Sequence, residues 1–137
     1  MLCRSFLPAV TRGVTITNLR DASDVAIDIR NILGLLKTET LNSTWSLTQI
    51  EAIGAKRDEI HRLSDKSIPV SGEILLQMVS GIDQTIEGTF NAFRAGGKTP
   101  WLIIRAVDGT AIDIETLDDA VLNKIRYSFR NVSDLPE

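Results

Sequence analysis

SLTQIEAIGAKRDEIHRLSDK, residues 46–66, is the stretch on which the fold turns. Ser46 and Gln49 have the spacing of a capping box, in which each side chain answers the other's free backbone N–H at a helix start. Trp45 and Ile50 stand at the staple positions that flank such a cap. From there Ile50, Ile53, Ile60 and Leu63 form an apolar stripe, while Lys56, Arg57, Asp58 and Glu59 make a solvated opposite side. The pattern predicts a helix from Ser46 to about Lys66, stopped before Ile68-Pro69.

Upstream of it, the polar run Thr38–Thr44 reads as a linker. Before that, Val25, Ile29, Ile32 and Leu36 recur at helical spacing, which predicts a helix capped by Asp21 or Ser23 and ending near Lys37, with Gly34 inside it. Val14 and Ile16 alternate within Gly13–Leu19 as in a short strand. Residues 1–20 carry Arg4, Arg12 and Arg20 and no acid before Asp21. That is the composition of a mitochondrial presequence. The preferred reading is an apolar and basic arm (1–20) that docks on the body or on a neighbouring subunit, followed by one globular domain (21–137).

Downstream, Ser71 starts a third and longest helix, with Leu75, Met78, Val79, Ile82, Ile86, Phe90 and Phe93 spaced by threes and fours. Gly81 and Gly88 are two turns apart on it and would allow another helix to approach closely. Gly96-Gly97 and Pro100 end the element. Periodicity makes Ile68–Leu76 the first turn of this helix. Trp101–Val107 is β-rich, Asp108-Gly109 is a favoured two-residue hairpin turn, and Thr110–Ile114 returns antiparallel. Thr116, with Asp119 three residues on, caps a last helix in which Leu117, Val121, Ile125 and Phe129 recur every fourth residue. The expected fold class is therefore α+β and mostly helical: three amphipathic helices, a C-terminal β-hairpin (about 101–114) and a closing helix (about 116–130).

At 137 residues, 43% hydrophobic and 24% charged, the chain fits one domain with its own core and not a disordered segment. A net charge of −3 supplies no basic field for nucleic acid. No apolar run approaches the roughly 20 residues of a membrane helix. One cysteine, Cys3, allows neither an intramolecular disulfide nor a zinc knuckle.

Catalytic equipment is sparse. His61 is the single histidine, on the charged side of the predicted 46–66 helix, with no second histidine or nearby cysteine to complete a dyad or zinc site. Asp108, Asp113, Glu115, Asp118 and Asp119 cluster in sequence but do not follow the EF-hand spacing, and turn, strand and helix-start roles account for them. Gly96-Gly97-Lys98-Thr99 has the end of a phosphate loop but lacks its earlier glycine and follows a predicted helix where a strand is required. Lys56, Arg57 and Arg62 form a small basic cluster interrupted by Asp58 and Glu59. No cofactor or metal is expected.

The order of motifs is similar to that of an uncharacterised domain family of bacteriophage tail-fibre, tail-associated and prophage proteins. AKRDEI (Ala55–Ile60), the Val-Ser-Gly stretch Val70–Gly72, a helix, then Trp101 with VDGT and the I-D-I of Ile112–Ile114 and a closing helix carry the resemblance, over about Ser46–Phe129. It departs from the family at Glu73-Ile74-Leu75, where an aromatic usually follows the glycine. The resemblance implies a strand at Val70–Gly72, a virion or tail-assembly role, and no catalytic residues to carry over. The expectation is a non-enzymatic structural or assembly protein, found in the virion or in the host cytoplasm during assembly. It would contact other virion proteins or copies of itself, without nucleic acid or membrane, through Phe6, Leu7 and Val10 of the arm and the face bearing Gly81 and Gly88. The alternatives are an organellar or regulatory adaptor with an N-terminal import signal and, behind it, a metal-dependent enzyme using the Asp108–Asp119 carboxylates.

Overall fold

A computed structural model describes residues 12–135. Its centre is one seven-stranded, wholly antiparallel sheet in the order β3-β2-β4-β5-β6-β1-β7. The strands are β1 (Gly13–Thr17), β2 (Thr44–Ile53), β3 (Val70–Ser71), β4 (Gln84–Phe93), β5 (Leu102–Val107), β6 (Ala111–Thr116) and β7 (Val132–Asp134). Five helices accompany them: α1 (Ile29–Leu35), α2 (Lys37–Leu41), α3 (Arg57–Asp65), α4 (Gly72–Val79) and α5 (Asp119–Ser128). The described residues are 37% strand and 31% helix, so the mostly helical architecture is overturned. No helix among them is long and apolar enough to cross a membrane.

The error lies chiefly in residues 46–56 and 80–93, and β-bulges explain it. In β2 the buried residues are Trp45, Leu47, Ile50 and Ala52. Their step from 47 to 50 is three, not two, because Gln49 takes a positive φ of 53° and lets Gln49 and Ile50 together face Gly88 alone. An extra residue of this kind re-aims the strand without breaking it. A step of three between apolar residues is also what a helix shows, hence the apparent capping box at Ser46. The helix begins only at Arg57.

Gly88 is the other half of the bulge. Its φ is +146°, and a Cβ there would strike Ile50. One residue further along, Ile86 is the extra residue on β4, between the pairs Glu51–Glu87 and Ala52–Thr85. The predicted long helix therefore divides. Ser71 does cap a helix, its Oγ accepting from the Ile74 N–H (3.2 Å), but α4 ends at Val79 and β4 starts at Gln84. Residues 68–76 satisfy both expectations, as Val70–Ser71 pairs with β2 before the helix starts.

The first predicted helix is shorter than expected for a local reason. Asp21 Oδ1 accepts from the N–H groups of Ser23 and Val25 (2.8 and 2.9 Å), holding a turn that competes with helix. Val25 is accordingly exposed, and α1 starts at Ile29. The expected linker at 38–44 contains most of α2. The hairpin is as expected in place, with positive φ at both Asp108 (53°) and Gly109 (69°), as a primed turn requires. Its register sets Val107 opposite Ala111, so three residues connect the strands rather than two. The last helix is capped by Asp118, which accepts from Ala120 N–H (2.9 Å), because Thr116 is still in β6.

One face of the sheet carries the core. Leu47, Phe90, Ile104, Ile114 and Val14 stand in register across five strands, and every one is fully buried. Ile32, Leu33, Ile60, Leu75, Val121 and Ile125 from the helices join the same cluster. Burying each such side chain contributes about 1.5–3 kcal/mol. The opposite face presents Thr15, Asp113, Arg105, Thr89 and Thr48 in one row, all half-buried or exposed, with Arg105 paired to Glu115. This alternation is the usual division of an antiparallel sheet that is covered on one side.

Two glycines predict opposite responses to the same substitution. A Cβ at Gly72 would run into the Thr40 carbonyl, backbone that cannot step aside, whereas Gly34 in α1 has open space around it. Gly72→Ala should lower unfolding free energy by about 1–3 kcal/mol through overpacking. Gly34→Ala should raise it by about 0.4–1 kcal/mol by restricting the unfolded chain. Urea denaturation of both variants measures the difference in sign.

Candidate functional site

The two bulges and the hairpin turn meet at one end of the sheet. The Ile86 carbonyl accepts from the Gly109 N–H (2.8 Å), and Glu87 Oε1 accepts from the Asp108 N–H (2.6 Å). The β5–β6 turn is thereby tied onto β4. Beside it, β1 ends at Thr17, and Asn18 at φ +55° bends the chain away. Asparagine tolerates that left-handed geometry better than most residues. The chain then forms a narrow ribbon over residues 19–27, with Ile27 N–H on the Leu19 carbonyl (3.0 Å), Asp21 N–H on the Val25 carbonyl (2.9 Å) and Arg20 bridged to Ala26.

Between this ribbon and the turn lies an open groove of about 470 Å³, lined by Asn18, Leu19, Arg20, Ile27, Gln84 and Thr110 among others. Leu19, Ala26 and the edge of the buried Ile27 supply an apolar part; Asn18, Arg20, Gln84 and Thr110 supply the polar part. No carboxylate lines it. The ribbon is fastened on its other side by Asp21 bridged to Phe129, the Arg130 N–H on the Arg20 carbonyl (3.2 Å), and an Arg130–Asp24 ion pair (2.8 Å).

Just behind Ile27 lies the most deeply buried carboxylate described. Asp28, 7% exposed, accepts from the Thr85 N–H (3.0 Å) and the Thr85 hydroxyl (3.0 Å), joining the start of α1 to the start of β4. Asn31 Oδ1 accepts from the Asp28 N–H (2.7 Å), and Arg30 donates to the Ile82 carbonyl (2.6 Å). Burial pushes the Asp28 carboxyl above its ordinary range, although the hydrogen bonds from Thr85 and the charge of Arg30 pull the other way.

His61 is a half-buried residue of α3, in keeping with its expected place on a helix, but its ring has a structural partner. Its Nε2 accepts from the Ala52 N–H (3.0 Å), and Ser64, three residues on, accepts from the Ile50 N–H (3.1 Å). Both backbone groups lie in the part of β2 past its two-residue pairing with β3. Side chains of α3 thus satisfy a strand edge where no strand pairs. The five candidate carboxylates are spread out. Asp108 is in the turn, Asp113 on the uncovered sheet face, Glu115 on Arg105, Asp118 at the α5 cap and Asp119 on Arg12. Among the described residues, no three His, Cys, Asp or Glu side chains converge as metal ligands. Gly81 follows α4, its carbonyl accepting from the Lys56 N–H (3.0 Å), and Gly88 is inside β4, so the two share no helix. Phe6, Leu7 and Val10 lie outside the described residues. The loop holding Gly96-Gly97-Lys98-Thr99 joins two strands, and Lys56 and Arg57 of the basic cluster pair with Glu59 and Asp58.

Sequence reasoning missed Asp28, Ser64, Thr85 and the groove residues. Asp28 had a signal: it directly precedes Ile29, Ile32 and Leu36, with Asn31 three residues on. Ser64 and Thr85 had none, because their partners are set by tertiary packing. Comparison of the chain with protein-family models, with curated proteins and with solved structures found no match.

The raised Asp28 carboxyl has a definite consequence for stability. The folded chain holds this proton more tightly than the unfolded chain, so the contribution is full at low pH and is lost as pH rises from the ordinary carboxylate range through the raised folded value. Asp28→Asn keeps an acceptor for the Thr85 N–H and offers a donor to the Thr85 hydroxyl, but does not titrate. Urea unfolding across the acid range should show the variant gaining on the parent as pH rises; a constant difference would contradict the assignment.

Proposed function

We propose that this chain is a non-enzymatic structural or assembly protein, a bacteriophage tail or virion component that acts by contact with other proteins or with copies of itself. The observation that carries this reading is how the polar side chains are used. Asp28 is spent on Thr85, His61 and Ser64 on the β2 backbone, Asp118 on the α5 N-terminus, and Thr116 on the Trp101 carbonyl (2.8 Å). Each acts as a hydrogen-bond partner within the fold. General acid–base or nucleophilic chemistry instead requires such groups to converge within reach of one another.

The virion context draws on the motif resemblance, which runs over α3, β3, α4, the β5–β6 hairpin and α5 in that order. The strand β4 stands between α4 and the hairpin and departs from it. The surface also leaves Ile53, Ile74, Leu41 and Tyr127 substantially exposed, and Tyr127 is 87% accessible. Tyrosine is enriched at protein interfaces because one residue offers both apolar area and a hydrogen-bonding tip.

Two measurements test the reading. Sedimentation of the full chain over a concentration series, with pull-down from the native host, should give self-association or a recovered protein partner; a monomer throughout with nothing recovered would overturn it. The genes flanking this one should encode tail or capsid proteins, and a locus without them would remove the virion context.

A further inference from the structure

We infer that the groove between the 19–27 ribbon and the β5–β6 turn receives an acidic side chain, next to an apolar one, from a partner protein. The inference deepens the proposed contact function and rests on it. Its first support is charge. Arg12, Arg57, Arg105, Arg126 and Arg130 each pair with a carboxylate, whereas Arg20, Arg30, Arg62 and Arg94 do not, and of these four only Arg20 lines the groove. Arg20 has no carboxylate partner among the described residues, and its only side-chain bond is a long one to the Asp24 carbonyl (3.3 Å). Of the two acids in its ribbon, Asp24 is held by Arg130 and Asp21 accepts from the Ser23 and Val25 N–H groups.

The second support is the lining. Arg20 is exposed at a groove without an acid in its walls, so a carboxylate arriving there meets a cation and no repulsion from the lining. Half-buried Leu19 and exposed Ala26, bridged to Arg20, provide the apolar contact beside it, and Gln84, Asn18 and Thr110 provide uncharged hydrogen-bonding groups. A volume of about 470 Å³ exceeds a single side chain and suits two adjacent residues of an extended peptide. The third support is rigidity. The ribbon is fixed by α5 and by the Arg130–Asp24 pair, and the opposing turn by its two hydrogen bonds to β4. Walls held in this way need little ordering when a ligand binds.

The test uses the full chain, isotopically labelled for amide NMR, with N-acetyl-leucyl-glutamate amide as probe and its glutamine counterpart as control. The glutamate peptide should shift the amides of Leu19, Arg20, Ile27, Gln84, Gly109 and Thr110. Binding should weaken about two- to fivefold for the glutamine peptide, the range an exposed ion pair supports. Arg20→Gln should abolish that preference and Arg20→Lys should restore part of it; unchanged shifts elsewhere establish that each variant is folded. No response at these amides, or equal binding of both peptides, overturns the inference. So does an undiminished preference in Arg20→Gln. Any of these would remove the groove as a contact and leave the sedimentation and gene-neighbour results to judge the wider reading.

Discussion

The interlock of Ile50 with Gly88 is the constraint from which most of the architecture follows. Because Gly88 has no side chain, Ile50 can occupy the space opposite it, and the positive φ of Gln49 returns β2 to the sheet with Ala52 facing the core. Without the extra residue, every side chain beyond Leu47 would be presented to the wrong face. The paired irregularity on β4 then frees the Ile86 carbonyl to hold the turn of the neighbouring hairpin. A local adjustment in two central strands thus fixes the end of a third and a fourth.

Asp28 and Thr85 act at the same end of the sheet by different means. Their three hydrogen bonds cross 57 residues of chain and set where α1 begins relative to β4. A buried carboxylate is a costly way to make such a joint, since desolvation opposes its charge. Its compensation is geometric: two oxygens accept from one residue's backbone and side chain together. This leaves Ile27, just before it, facing the groove, and Gln84, just before Thr85, facing the same groove.

What could be read from the chain divides along local and non-local lines. The β5–β6 hairpin was legible because Asp108-Gly109 states its turn chemistry within two residues, and Ser71 as a cap because its partner is three residues away. Residues 46–56 and 80–93 were not, because a bulged strand and a helix both place apolar residues three apart. Only the register with the other strand separates the two, and register is a property of pairs. The cap at Asp28 was within reach, since Asn31 and the Ile29–Leu36 pattern follow it directly. The groove was not. Its walls come from residues 18–20, 26–27, 84 and 109–110, which are brought together only when β1, β6, β5 and β4 have taken their order.

The covering of β2 by α3 has a consequence for how the chain fails. The amides of Ile50 and Ala52 are held by side chains, not by another strand, so they report on the attachment of one nine-residue helix. A helix of that length has little stability apart from its docking. Should it lift, part of a ten-residue strand rich in threonine and isoleucine would become an open template for pairing, while the rest of the sheet stayed intact. Along β2, His61 and Ser64 therefore close the stretch of edge that β3 leaves open.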